Sequence, residues 1–130
     1  MTDLLLRGGR VIDPVSGRDE IADVVFGGGK VSGVGRDLRA GGAEIIDARG
    51  LLVVPGLIDL HTHVYWGGTS LGVDASEVAR RSGTTTFVDA GSAGPGNFPG
   101  FRRHVIEASP LRIVPFLNVS FPASSPSALA

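Results

Sequence analysis

Three polar side chains in an otherwise apolar run carry the chemical signal of this sequence. In the stretch LIDLHTHV, residues 57–64, Asp59, His61 and His63 stand at alternate positions. Alternate residues of a β-strand share a face, so a carboxylate and two imidazoles are expected to project together. Ile58, Leu60, Thr62 and Val64 then point the other way, where they can pack against helices. Burying three polar groups unpaired is costly. A cation removes that cost, because neutral imidazoles coordinate zinc at roughly 2.0–2.1 Å. Asp59 is placed to orient a ligand or the site around it. A lone His-x-His also occurs on exposed strands with no metal, so the position of the strand in the fold decides between the two readings.

The elements around the run give that position. Residues 1–54 read as short strands without a helix-length amphipathic segment. Leu4–Leu6 and Arg10–Ile12 flank Gly8-Gly9, and Ala22–Phe26 and Lys30–Val34 flank Gly27-Gly28-Gly29. Both are hairpin signals, because adjacent glycines accept the positive φ of a primed turn. The triple glycine is not read as a phosphate cradle, which needs a helix to follow. Glu44–Asp47 and Leu51–Val54 follow, turning at Arg49-Gly50. The expectation is a small antiparallel β module.

From Pro55-Gly56 the pattern changes. After the histidine strand comes a glycine-rich loop, then a helix over Asp74–Ser82. Asp74 is its cap, Glu77 completes a capping box, Gly83 ends it, and Ala75, Val78 and Ala79 form its apolar face. Thr84–Ala90 is β-branched and strand-like. A loop over Gly91–Asn97 leads to Pro99, suited to a first helical turn. That helix runs to Ala108 and stops before Ser109-Pro110. Arg112–Val119 is a third strand. Strand–helix–strand–helix–strand implies parallel strands with right-handed crossovers, and sites in such folds gather at the carboxyl ends of the strands. The histidines end the first strand. Pro122–Ala130 is Pro/Ser-rich and reads as a disordered tail.

Composition narrows the function classes. Twelve Lys and Arg against thirteen Asp and Glu give a net charge of −1, with no electrostatic footprint for nucleic acid or an anionic membrane. No cysteine is present, so neither a disulfide framework nor a thiolate metal site is available. The first residues lack the pattern of a signal peptide or a membrane span, and a cytoplasmic location is the default.

A β module followed by PGLIDLHTH resembles the opening of the amidohydrolase superfamily: dihydroorotases, hydantoinases, D-aminoacylases and related deacetylases. The later stretch GTTTFVDAGSAGPGNFPGFRRHVIE looks closest to the amidohydrolase/deacetylase group, whose members resemble dihydroorotase. The resemblance runs from about Leu4 to Phe121. It implies an α/β plus β fold: a small N-terminal β-sandwich portion over residues 1–54, then an incomplete (β/α)8 barrel over 55–121, with three strands and two helices. It implies zinc, in a binuclear site in the complete enzyme, activating water for attack on an amide or ester carbonyl. A metal lowers the pKa of bound water to about 7 and polarises the carbonyl. His61 and His63 match the paired ligands on strand one. The family's other ligands come from later strands: a carboxylated lysine, two more histidines and an aspartate that also handles the proton. Here the only lysine, Lys30, lies in the β module, and the only other histidine, His104, on a crossover helix. Both are expected to face solvent.

Other residues stay open between two roles. Asp89, at the end of strand two, can bond near the site or cap the loop. Asn118 can contact substrate or turn the chain at the end of strand three. Tyr65 and Trp66 can wall a pocket. Dihydroorotases often have an arginine there for a substrate carboxylate, and its absence argues against that mode of binding. The Gly91–Gly96 loop can approach a substrate or simply turn.

A (β/α)8 barrel takes about 250 residues, so this one is not expected to close. Two expectations follow: the N-terminal part of a metal-dependent amidohydrolase or deacetylase acting on a small-molecule amide or ester, or a non-catalytic truncated remnant or interaction module of such an enzyme. A dihydroorotase- or hydantoinase-type cyclic amidase is the third reading. An oligomer is possible for the complete enzyme.

Overall fold

The computed structural model describes residues 3–120. The tail expected over 122–130 lies outside the described residues. The chain divides into two compact units, Met1–Pro55 and Gly56–Ala130.

The first unit is built on one sheet with strands β1 (Leu4–Asp13), β2 (Arg18–Gly27), β3 (Lys30–Gly35), β4 (Glu44–Asp47) and β5 (Leu52–Val53). The order is β3-β2-β1-β4, with β5 also paired to β1. Val11, Ala22 and Val24 form its core, with Leu6, Phe26, Val34 and Val53 packed around them.

Two expectations need correction. Gly8-Gly9 is not a hairpin turn; β1 runs straight through it as an irregularity in the β1–β2 register between Leu6 and Gly9. Gly8 takes φ 72° and its N–H donates to Asp23 Oδ1 at 2.8 Å. A Cβ on Gly9 would come within 2.6 Å of Val53, so these glycines serve a bulge and a close approach of strands. The real hairpin turn lies at residues 14–17, where Asp13 accepts from the Val15 N–H and the Ser16 hydroxyl. The second correction is to the antiparallel module. β4 and β5 pair parallel with β1, and among the described residues the unit holds a single, mixed sheet. At Gly28-Gly29 the expected hairpin forms, with φ of 58° and 77° between the paired Gly27 and Lys30, as a type I′ turn requires.

The second unit is a three-stranded parallel sheet in the order β6-β7-β8: β6 (Leu57–Thr62), β7 (Thr84–Ala93) and β8 (Arg112–Leu117). Helix α1 (Ala75–Ser82) joins the first pair. Asp74 caps it by accepting from the Ser76 N–H at 2.7 Å, and Gly83 closes it at φ 71°. The expected capping box is absent, because Glu77 pairs with Arg80 one turn on. Between β7 and β8, α2 (Phe98–Phe101) passes into a π-helical turn over Arg102–Ile106 instead of continuing as an α-helix. Glu107 N–H bonds Arg102 O at 2.9 Å.

Val64, Ala75, Phe87, Ala93, Phe101 and Ile113 make the core of this unit. Ile58 and Leu60 do not join it; they are 61% and 73% exposed. The reason is topological: α1 packs on β7, leaving the outer part of β6 without a helix among the described residues. β7 is also longer than the sequence suggests, because Gly91–Ala93 continue it past a register irregularity between Asp89 and Ala93. β8 ends at Leu117 rather than Val119. Its Pro115 is tolerated because β8 is an edge strand.

Candidate metal centre

The carboxyl ends of β6, β7 and β8 gather the residues that matter. His61 lies within β6 and His63 just past its end. Their ring centroids are 5.8 Å apart, edge to face at 75°, close to the roughly 6.5–7 Å rise across two strand residues. The two imidazoles therefore sit side by side.

Their supports differ. Among the described residues Asp59 makes no hydrogen bond to either ring; its Oδ1 accepts from the backbone N–H of His61 at 3.1 Å. It fixes the His61 main chain and leaves the exposed ring free. His63 is half-buried, and its Nδ1 lies 3.0 Å from Ser92 Oγ on β7. The backbone carbonyl of His63 accepts from Val73 N–H at 2.9 Å, which ties the glycine-rich loop back to the strand end.

Asp89 holds this arrangement together. It is fully buried. Its Oδ2 accepts from Val64 N–H at 2.8 Å, and its Oδ1 from Gly91 and Ser92 N–H at 3.1 and 2.7 Å. One carboxylate thus pins the residue after His63 and the residue that bonds the His63 ring. Both roles open to Asp89 are seen in its hydrogen bonds: it caps its own loop through Gly91 and Ser92 and bonds beside the histidine strand end through Val64. Thr62 adds a bond from its hydroxyl to Val88 O at 3.1 Å. Asn118 makes strand-end bonds: its Nδ2 donates to Gly91 O at 3.2 Å and its Oδ1 accepts from Ser120 N–H. The Gly91–Gly96 segment therefore begins as strand and is tied to its neighbours.

Tyr65 and Trp66 do border a cavity, of about 420 Å³, together with Asp74, His104 and Ile113, but neither His61 nor His63 lines it. Tyr65 stacks on buried Phe101 with centroids 4.6 Å apart, so it belongs to the core, while Trp66 is 64% exposed. A separate cavity of about 20 Å³ lies beside His63, bounded by Thr69, Leu71, Gly91 and Ser92. His104 and Lys30 are exposed.

The sequence reading missed Ser92 and Thr69. Ser92 had a signal: an aspartate two residues before a glycine forms an Asx turn, and the next residue is carried inward with it. Thr69 had none.

The pair of imidazoles suits a borderline cation such as zinc, which takes neutral nitrogen donors. It is half of a tetrahedral set. Among the described residues, no group of three or more His, Cys, Asp or Glu is placed to hold a metal. No described helix is long and apolar enough to cross a membrane.

Comparison with known proteins bears on the family of the chain. A model of the amidohydrolase family matches residues 44–96. A deacetylase of Agrobacterium fabrum is 48% identical over 99 residues, covering 75% of this chain and 24% of the relative. A dihydroorotase of Lactococcus lactis is 50% identical over 60 residues, 46% of this chain and 14% of its own length. A crystal structure of a dihydroorotase superposes with a TM-score of 0.82 at 38% identity, covering 92% of this chain and 32% of that one. The chain thus spans about a quarter of the deacetylase and a third of the solved structure.

Proposed function

The chain belongs to the amidohydrolase superfamily, and we propose that it is the N-terminal part of a metal-dependent amidohydrolase or deacetylase that cleaves a small-molecule amide or ester. The observation that carries this is the pair His61 and His63, with rings 5.8 Å apart at the carboxyl end of a parallel strand. On this reading β6, β7 and β8 open a (β/α)8 barrel, and the two histidines hold one edge of a zinc site. Zinc bound there would activate water and polarise a carbonyl. This chain's part is positional: β6 presents both rings, Asp59 sets the His61 backbone, and Ser92 holds the His63 ring. The groups that complete the ligand set and move the proton belong to strands beyond the three described.

The deacetylase reading is favoured over a cyclic amidase because deacetylases are 48% and 44% identical over 75% and 78% of this chain, against 41% over 71% for a dihydroorotase of Streptococcus thermophilus. Tyr65-Trp66 also stands where dihydroorotases often carry an arginine. The cyclic amidase remains the second reading, supported by the dihydroorotase fold match. A non-catalytic role for the 130-residue chain goes with the same site, since two imidazoles leave half of a tetrahedral shell to other ligands.

The test has two parts. Cobalt(II) or zinc titrated into the purified chain should bind weakly, and His61→Ala or His63→Ala should abolish that binding. The chain should not turn over N-acetyl amino acids, acetyl esters or cyclic amides with zinc added. Metal binding unchanged in both variants would remove the metal reading. Turnover lost in His61→Ala would show that this chain is itself an enzyme.

A further inference from the structure

The first unit gathers arginines that neither its own packing nor the metal reading uses. Arg7 on β1 and Arg36 and Arg39 in the loop after β3 line one cavity of about 860 Å³, within the size range of small-molecule sites. All three residues are exposed. Arg10, Arg18, Arg49, Arg80 and Arg102 each pair with a carboxylate. Six arginines have no such partner among the described residues: Arg7, Arg36, Arg39, Arg81, Arg103 and Arg112. Half of these six line the one cavity. The whole chain carries a net charge of −1, so the cluster is a local feature and does not follow from composition.

Two carboxylates border the same cavity, Asp23 and Asp37, and they are differently engaged. Asp23 is 6% exposed. Its Oδ1 accepts from Gly8 N–H at 2.8 Å and its Oδ2 from Leu38 N–H at 3.0 Å. It is committed to tying the loop down onto the β1 bulge. Asp37 is exposed and takes φ 54°, the one non-glycine with positive φ among the described residues. L-residues adopt that conformation at a cost, and such residues gather at ligand clamps. A third carboxylate, Asp47, lies opposite Arg7 in the parallel register, but Arg49 forks onto it. Three guanidiniums therefore share the cavity with one carboxylate that has no other engagement.

We propose that this cavity binds a small multivalent oxyanion, with Arg7 on the strand side and Arg36 and Arg39 on the loop side. A guanidinium stays charged at all relevant pH and offers a planar fork of donors that matches phosphate and carboxylate oxygens. Cations contributed by two separate segments call for more than one anionic group on the ligand. A compact molecule suits the site better than an extended acidic peptide. β1 and β2 are inner strands in the order β3-β2-β1-β4, so the cavity lies over the sheet and away from the open edge where a peptide could add as a strand. The Asp23 bond to Leu38 also walls one side. Neither histidine of the metal centre belongs to this unit, so the two readings stand or fall separately.

The experiment follows the amide signals of the metal-free, nitrogen-15-labelled chain while tripolyphosphate or citrate is added at constant ionic strength. Acetate is the monovalent control. Gly8, Ala22 and Leu38, which border the cavity, should shift and saturate with a multivalent anion and stay nearly still with acetate. Arg7→Gln, and Arg36→Gln with Arg39→Gln, should each weaken binding about tenfold or more, as loss of a hydrogen bond between charged groups does. Arg81→Gln and Arg103→Gln, which remove unpaired charges of the second unit, should leave affinity unchanged. All these positions are exposed, so the variants are expected to fold, and the unperturbed amide signals check that directly. Absence of saturable shifts overturns the site. So does binding that survives loss of Arg7, Arg36 and Arg39. Equal weakening by Arg81→Gln would replace the site with diffuse surface charge. A hexaglutamate peptide that shifts the same amides at lower concentration than tripolyphosphate would replace the small oxyanion with an acidic chain segment.

Discussion

β6 and β7 are neighbours in one parallel sheet, yet they live in different surroundings. β7 has a strand on each side and α1 on one face, and its Phe87 and Asp89 are fully buried. β6 is an edge strand whose Leu57, Ile58 and Leu60 are exposed. The two histidines inherit that contrast. His63 leans on β7 through Ser92, while the His61 ring has no side-chain hydrogen bond among the described residues and only its main chain is held. A strand can therefore carry the ligating residues while its neighbour supplies their order. The apolar character of β6 was written for burial that the described residues do not provide.

The largest effect that sharpens this contrast is a core deletion. Phe87→Ala should cost about 3–5 kcal/mol, as removal of a buried aromatic does. Leu60→Ala should change stability by no more than about 0.5 kcal/mol, as at an exposed position free of special features. Urea denaturation followed by a probe in the second unit compares the two. Equal losses would mean that Leu60 is covered in solution, by a second copy or another surface, and that β6 is not the exposed strand described here. Exposed Phe116 and Val119 beyond β7 on the other edge make such association a real competitor, since uncovered edges and apolar patches invite pairing.

Next in size is Asp89. Replacing it with alanine removes the acceptor of three backbone N–H groups, those of Val64, Gly91 and Ser92. Hydrogen bonds to a charged group contribute about 1.5–3 kcal/mol each, and such losses at one site do not add simply. A net cost of about 3 kcal/mol is expected for Asp89→Ala. Asp89→Asn should cost less, because its amide oxygen can still accept. Amide hydrogen exchange is the sharper measurement: Val64, Gly91 and Ser92 should lose protection together. Loss at Gly91 and Ser92 alone would mean that Asp89 only caps its own loop and does not brace the histidine strand.

How much of this was legible beforehand depends on the range of the interaction. Asp74 and Gly83 around α1 could be read because a cap is decided within one turn of chain. The Gly28-Gly29 hairpin was legible for the same reason. Gly8-Gly9 looked identical in sequence, but its outcome depends on Asp23 and Val53, far along the chain, and it became a bulge. The histidine pair followed from strand alternation. The Ser92 bond to it did not, because it spans 29 residues and required knowing that β7 continues past Gly91. The exposure of Ile58 and Leu60 was missed because apolar alternation shows which residues can be buried, and only the topology decides whether anything lies over them.

The smallest effect belongs to the first unit, where order is local and solvent-facing. At the turn after β4, Arg49 forks onto Asp47: Nη2 to Oδ2 at 2.6 Å and Nε to Oδ1 at 2.9 Å, with the Arg49 N–H adding a third donor. The Arg49 side chain, then the backbone bond, hold the Asp47 carboxyl down, from an ordinary 3.8 to about 2. A carboxyl whose folded value is depressed binds its proton more readily when unfolded. Its contribution to stability is therefore complete above the ordinary value and is lost as pH falls from about 3.8 toward 2, because protonation then favours the unfolded chain. Both side chains are well exposed, 78% for Arg49 and 57% for Asp47, so water and salt screen the pair and the contribution is small. The expected result is a slightly steeper loss of stability across that window in the wild type than in Asp47→Asn, read from urea midpoints at successive pH values. Added salt should narrow the difference. A difference that instead grew toward neutral pH would have the wrong sign for a depressed carboxyl, and would show that Asp47 acts through the turn's backbone shape rather than through its charge.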